Sequence, residues 1–196
     1  MKKTNFVRTF VSKDQYKEKE EREGVYIVHL DGVLNEELGA YECVECSMPV
    51  GEYSEAAVNE AYAAWKVATA NRRLAQAKRE VLKKIEDYDT SPAVNGFILN
   101  GQRVWLDFEL RDRVYQGNER LQRIGRTDTT LWLGKQCYNL SIEQAQNIIS
   151  HIEAYAKDCY NVTAAHKKAV SELTTIEEVE KYDITAGYPA QLKMEV

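Results

Sequence analysis

Two hydrophobic rhythms alternate along this chain. Short runs in which side-chain character changes every second residue give way twice to long stretches in which apolar residues recur every three or four positions. Phe6 to Val11, Val25 to Leu30 and Tyr41 to Met48 are rich in β-branched and aromatic residues and read as strands. Asp31-Gly32 supplies a hairpin signal after the second of them, and Pro49 and Gly51 close the third. The run from Lys13 to Glu23 is mostly charged, reads as a solvated arm or frayed helix, and ends at Gly24. Residues 1–53 are thus expected to form a small antiparallel β unit, of a size at which isolated stability is marginal.

The second rhythm starts at Ser54-Glu55, a capping hydroxyl followed by a first-turn acid. Neither Gly nor Pro follows until Pro92, so a helix can run to Asp87 or Tyr88, roughly 50 Å at 1.5 Å per residue. Val58, Ala61, Trp65 and Ala68 form one apolar seam; Val67, Ala70, Leu74, Ala77, Val81 and Tyr88 form a second, offset around the axis. A pattern of this length suits a connector or an oligomerising stalk over residues 54–90, with Trp65 as a candidate partner contact.

Asp89-Thr90-Ser91-Pro92 is a turn-rich joint into a module over residues 91–196. Asn100-Gly101 sits between Phe97-Ile98-Leu99 and Arg103-Val104-Trp105-Leu106, and this dipeptide favours the positive φ values of a two-residue hairpin turn. Asp107 is placed to cap a helix carrying Leu110, Val114, Gly117, Leu121 and Ile124 on one side, with Arg111, Arg113, Arg120 and Arg123 opposite and Gly125 as its stop. Thr129 to Leu133 and Cys137 to Leu140 repeat the hairpin plan around Gly134-Lys135. Ser141-Ile142-Glu143-Gln144 has the capping-box pattern, and apolar spacing then continues to Leu173. Thr174-Thr175 caps a short last helix, and Gly187-Tyr188-Pro189 closes the module. The fold class expected is α+β: an N-terminal antiparallel β unit, a long connecting helix and two β-hairpins packed on helices.

Composition narrows the classes of function. A net charge of −5 argues against a dedicated nucleic-acid binder. The basic residues of the long helix, Lys66, Arg72, Arg73, Lys78, Arg79, Lys83 and Lys84, are interleaved with Glu80 and Glu86 and lack aromatic platforms. No apolar run approaches the roughly 20 residues that span a bilayer, and Met1-Lys2-Lys3 leads into no signal-peptide core. The reading is therefore a protein made and kept in a cytoplasm, or packaged from one, with neither nucleic acid nor membrane as partner.

Candidate chemistry is sparse. Cys43-Val44-Glu45-Cys46 has C-x-x-C form, but a closed zinc site needs two further ligands, and Cys137 and Cys159 do not lie at ligand spacing. A redox pair normally opens a helix, whereas this segment reads as extended. The cysteines are read as core or strand residues, with no metal and no cofactor. None of His29, His151 and His166 neighbours a nucleophile in a recognisable signature, and His166 falls on an apolar seam as a partnered core histidine does. There is no phosphate loop, H-E-x-x-H or G-x-S-x-G, so the chain is read as non-enzymatic. Two readings stay open for the hairpin aromatics Trp105, Trp132 and Tyr138: core packing, or a contact patch formed by Trp132 or Tyr138. Two also stay open for Arg111, which either pins the end of the first hairpin by a charge-assisted hydrogen bond or is solvated.

The segment FILNGQRVWLDFELR, followed by TTLWLGKQCYNLS and the long helix after it, resembles an uncharacterised C-terminal domain family of tailed-bacteriophage and prophage tail and tail-fibre-region proteins. Trp105-Leu106-Asp107, Arg111, Thr130-Leu131-Trp132, Tyr155, Cys159-Tyr160 and His166 carry the resemblance. So do Ile176-Glu177-Glu178, Tyr182-Asp183 and Gly187-Tyr188-Pro189, and the match covers about residues 94–194. The family supplies no catalytic residues. The resemblance implies a structural or adaptor protein of a tail, baseplate or tail-fibre region, located in the virion after assembly in the bacterial cytoplasm. Its implied partners are other phage tail or fibre proteins and, through the helix, further copies of itself. A tail-fibre assembly chaperone is the runner-up, and an enzyme acting on a host surface the third reading.

Overall fold

In the computed structural model, residues 4–133 and 135–196 are described; the basic Met1-Lys2-Lys3 start and Gly134 of the second turn lie outside the described residues. The protein is α+β, with an N-terminal antiparallel sheet, a long helix and a C-terminal set of strands and helices. It divides into two compact units, Met1–Arg73 and Leu74–Val196, so the boundary falls within the long helix.

In the first unit, β1 (Phe6–Ser12), β2 (Lys19–Arg22), β3 (Val25–Asn35) and β4 (Ala40–Pro49) form an antiparallel sheet of order β1-β4-β3-β2. Side chains alternate across it, so Val44, Cys46 and Met48 of β4 share one face with Phe6 and Val28. The first half of α1 (Glu55–Asp89) covers that face with Val58 and Tyr62, and Trp65 packs beside them. The Ser54 hydroxyl starts the helix by accepting from the Ala57 amide at 3.1 Å.

Two sequence expectations change here. The charged run is not wholly an arm, because Lys19–Arg22 pairs with β3 as an edge strand. Charged side chains are tolerated at an edge, where both faces and one rim meet water, so K-E-E-R offers no apolar alternation to read. Just ahead of it, Tyr16 stacks on Tyr41 with ring centroids 4.0 Å apart. Nor does Asp31-Gly32 reverse the chain. The ladder shifts register between Leu30 and Val33 and Asp31 adopts a φ of 52°, which makes this dipeptide a bulge within a longer strand. The Tyr16 ring lies where a Cβ on Gly32 would stand, so the glycine permits a close approach. Reversal comes after Asn35, whose side-chain oxygen accepts from the Leu38 amide, and Gly39 has a φ of 59°.

In the second unit, the α1 seam begins at Leu74. Val67 is exposed, contrary to its place in the predicted seam, and Val81 and Ile85 are buried against Val170 and Val179. The first hairpin joins β5 (Phe97–Leu99) to β6 (Gln102–Val104) through Asn100 and Gly101, whose φ values of 48° and 77° are those of the expected turn. β5 also pairs in parallel with β9 (Lys193–Met194), a strand too short to read from its sequence. Asp107 caps α2 (Phe108–Arg123) through a 2.8 Å bond from the Leu110 amide. β7 (Asp128–Leu133) and β8 (Gln136–Ser141) form the second hairpin.

β8 runs directly into α3 (Ile142–Glu172), and Ser141 and Gln144 form the predicted capping box through two 3.0 Å bonds. Ser141→Ala is expected to lower stability by about 1 kcal/mol in urea denaturation, through loss of that cap. α4 (Ile176–Glu180) carries a second capping box on Thr175. The core collects Phe97, Leu99 and Leu106 from the first hairpin region, Leu131, Leu133 and Leu140 from the second, and Ala145, Ile148, Ile149 and Ile152 from α3.

Candidate functional site

Arg111 is buried, with 6% of its surface exposed, rather than lying on a solvated side of α2. Its Nε donates to Glu153 Oε2 at 2.7 Å and its Nη1 to the Leu106 carbonyl at 2.6 Å. The guanidinium carbon stands 5.4 Å from the Trp105 ring centroid and 6.0 Å from that of Phe108. Of the two sequence readings, the pinned strand end is the one observed: Arg111 joins the chain after β6 to α3. α2 accordingly buries Arg111 and Asn118, with Val114 half-buried against the core, while Ile124 of the predicted apolar side is exposed.

The second hairpin separates its two candidate aromatics. Tyr138 pairs with Leu131 on the inner face and packs against the core, its hydroxyl donating to Gln136. Trp132 pairs with Cys137 on the outer face and is 63% exposed. Pleating alone produces this split, because the two residues have opposite parity in the ladder. In the other unit, Trp65 closes an aromatic group with Phe6 and Tyr62, each centroid 5.7 Å from its own. The contact residues named from sequence therefore do not form one patch: Arg111 and Tyr138 are committed internally, Trp65 is half-buried, and Trp132 faces solvent.

A cleft of about 440 Å³ lies between α2 and α3. Phe108 and Tyr115 form one wall and Ile149 and Ala154 the other, with the Arg111–Glu153 pair between them. Asp112 and Lys157 balance the charge at its rim. Such a lining accommodates an apolar side chain better than a free anion. Phe108 and Tyr115 were not singled out from sequence; their signal is the seven-residue spacing that places two aromatics on one stripe of a helix.

Of the cysteines and histidines, Cys137 and His151 are exposed, while Cys43, Cys46, Cys159, His29 and His166 are buried. Cys43 and Cys46 are both buried, and an odd spacing in one strand turns them to opposite sheet faces, so they cannot bind one ion together. Burial pushes both thiols, and that of Cys159, above their usual range, the reverse of an activated nucleophile. No group of three or more potential metal ligands occurs among the described residues. His29 donates from Nδ1 to the Lys17 carbonyl and turns Nε2 towards Glu45 at 3.3 Å. His166 donates from Nε2 to the Ala186 carbonyl at 2.8 Å, which leaves Nδ1 to accept from Tyr182. Beside it, Thr163 donates to Asp89 at 2.6 Å and meets the Tyr188 hydroxyl at 2.7 Å. These bonds fasten the segment after α4 to α3 and to the end of α1.

Two buried phenols give a pH signature. Burial, with a hydrogen bond to Asp31, pushes Tyr62 up to about 12, and burial, with Cys159 adjoining, does the same to Tyr155. Their folded values lie above the ordinary value near 10, so the stability they contribute is complete below pH 10 and is lost as pH rises through 12. Urea unfolding at pH 9 and 11 is expected to show lower stability at the higher pH. In Tyr62→Phe and Tyr155→Phe that decline becomes shallower.

Comparison with protein-family models, with curated proteins and with solved structures returns no match to this chain. The residues that carry the phage-domain resemblance can still be sorted by what they touch. Trp105, Leu106 and Arg111 form one internal joint; Asp107, Glu178 and Asp183 accept capping or turn bonds; Tyr155, His166, Tyr182 and Tyr188 bond across the second unit. Trp132 and Tyr160 are the large exposed members of the set.

Proposed function

We propose that this protein is a non-enzymatic structural or adaptor component of a bacteriophage tail, baseplate or tail-fibre region, acting through protein–protein contacts. The observation that carries the reading is the division of labour within the resembling segment. Most of its polar and aromatic groups are engaged in internal bonds, while Trp132 stands 63% exposed on the outer face of a two-stranded hairpin. A large aromatic side chain in that position is the residue type that dominates protein interfaces. The α2–α3 cleft, apolar with balanced charge, suits a partner's side chain in the same way. Among the described residues no helix is long and apolar enough to cross a membrane.

Quantitative mass spectrometry of purified virions tests the reading. A retained adaptor is expected at a fixed ratio to the other tail proteins. Absence from particles, combined with a requirement during assembly, would instead support the fibre-assembly chaperone.

A further inference from the structure

The sheet of the first unit has two unlike edges. The β2 edge is short and its Lys-Glu-Glu-Arg sequence is charged throughout, which blocks pairing with another strand. The β1 edge is far less protected, with Arg8 its one charged residue. It is longer, it pairs only with β4 among the described residues, and it exposes apolar side chains on both faces, Val7 at 51% and Phe10 at 58%.

The direction of its hydrogen-bonding groups follows from one bond. Lys13 N–H donates to Gly39 O in continuation of the β1–β4 ladder, so the odd residues Val7, Thr9 and Val11 bond inward to β4. Phe6, Arg8, Phe10 and Ser12 therefore direct their amides and carbonyls outward.

We propose that β1 is a homodimerisation edge, pairing antiparallel with β1 of a second copy about a two-fold axis at Thr9, so that two four-stranded sheets join into one. This register aligns the whole strand, from Phe6 opposite Ser12 to Ser12 opposite Phe6, and every outward amide meets an outward carbonyl. It sets Arg8 opposite the second copy's Phe10 on one face, a cation beside an aromatic ring, and Val7 opposite Val11 on the other. Glu42, which pairs with Phe10 in its own sheet and bridges Arg8 at 3.6 Å, then flanks that row. Centring the axis on Arg8 would oppose two guanidinium groups, and centring it on Phe10 would leave Phe6 unpaired. Self-complementarity of charge and apolar shape in this one register is what identifies a second copy as the occupant. The inference is independent of the phage reading, and it places self-association on the sheet rather than on the long helix.

Sedimentation equilibrium of the full chain, with amide hydrogen exchange at low and high concentration, tests it. The wild type is expected to show a reversible monomer–dimer equilibrium. In the dimer the Arg8 and Phe10 amides gain protection, while those of Val7, Thr9 and Val11 change little. Thr9→Lys opposes two ammonium groups at the axis and is expected to weaken association at least about tenfold; Val7→Lys weakens it through the adjoining pair. A wild type that stays monomeric at sub-millimolar concentration overturns the proposal. So does a dimer indifferent to both lysines, or one disrupted by Val67→Lys on the exposed stretch of the helix instead. Should Thr9→Lys fail to fold, the alternating exchange pattern of the wild type decides alone.

Discussion

Arg111→Ala is expected to lower the unfolding free energy of the second unit by about 3 kcal/mol, the largest single-residue effect foreseen outside the apolar core. Three losses combine. The Leu106 carbonyl is deprived of its 2.6 Å donor in a buried setting, Glu153 loses its partner, and the guanidinium no longer fills the space beside Trp105 and Phe108. The ion pair itself is the smallest part, because the Glu153 side chain is 49% exposed and water can replace the arginine there. Glu153→Gln is accordingly expected to cost less than about 1 kcal/mol. Arg111→Lys should recover under half the loss, since a single ammonium on a flexible stem cannot reproduce two bonds from a planar fork and a stacked face. Arg111→Met keeps the packing but not the donor, and should fall between lysine and alanine. Urea denaturation followed by far-UV circular dichroism measures all four. A change below about 0.5 kcal/mol in Arg111→Ala would show that the joint between the first hairpin and α3 does not depend on this side chain.

Arg111 also marks where sequence reading stops. Local signals proved legible wherever a few adjacent residues settle the backbone: Asn100-Gly101 for a turn, Asp107 and Ser141 for helix starts, Gly125 with a φ of 84° for a helix end. Long periodic stretches were equally readable, as α1 and α3 show. Failures came where tertiary partners decide. α2 buries a polar stripe, Arg111 and Asn118, so counting apolar positions placed Arg111 on the wrong side of the helix. β2 exists because β3 offers an edge, and nothing within Lys-Glu-Glu-Arg announces it. Asp31-Gly32 carries a turn signal but becomes a bulge, because the Tyr16 ring comes to lie over Gly32. The exposure of Val67 has the same origin: a seam drawn through one helix assumes continuous cover, while packing here is shared between Val58 and Tyr62 in one unit and Val81 and Ile85 in the other. Among the aromatic and arginine residues named as candidate contacts, strand parity and burial determine which of them meets solvent.

Trp132 is the one that does, and Trp132→Thr separates a contact role from a structural one. Threonine, being β-branched, retains a strong strand preference in place of the aromatic one and can share the outer face with Thr130 and Asn139, which already bond at 3.2 Å. With no core contact to lose, stability in urea is expected to stay within about 0.5 kcal/mol of the wild type. On the proposed reading as a tail component, incorporation into virions is expected to fall by about thirtyfold, the effect of removing an interface side chain worth about 2 kcal/mol. Tyr138→Phe provides the contrast on the inner face, where the ring stays in place and only the bond to Gln136 is lost, so particle incorporation should remain at the wild-type level. Two outcomes would sink the assignment. Wild-type incorporation of Trp132→Thr would leave the exposed indole without a partner, and a large stability loss would make it a packing residue despite its exposure. The combination of an intact fold and failed incorporation is the one that an internal role for Trp132 cannot produce. This is because a side chain 63% open to solvent makes too few contacts to reach the assembly step through the fold.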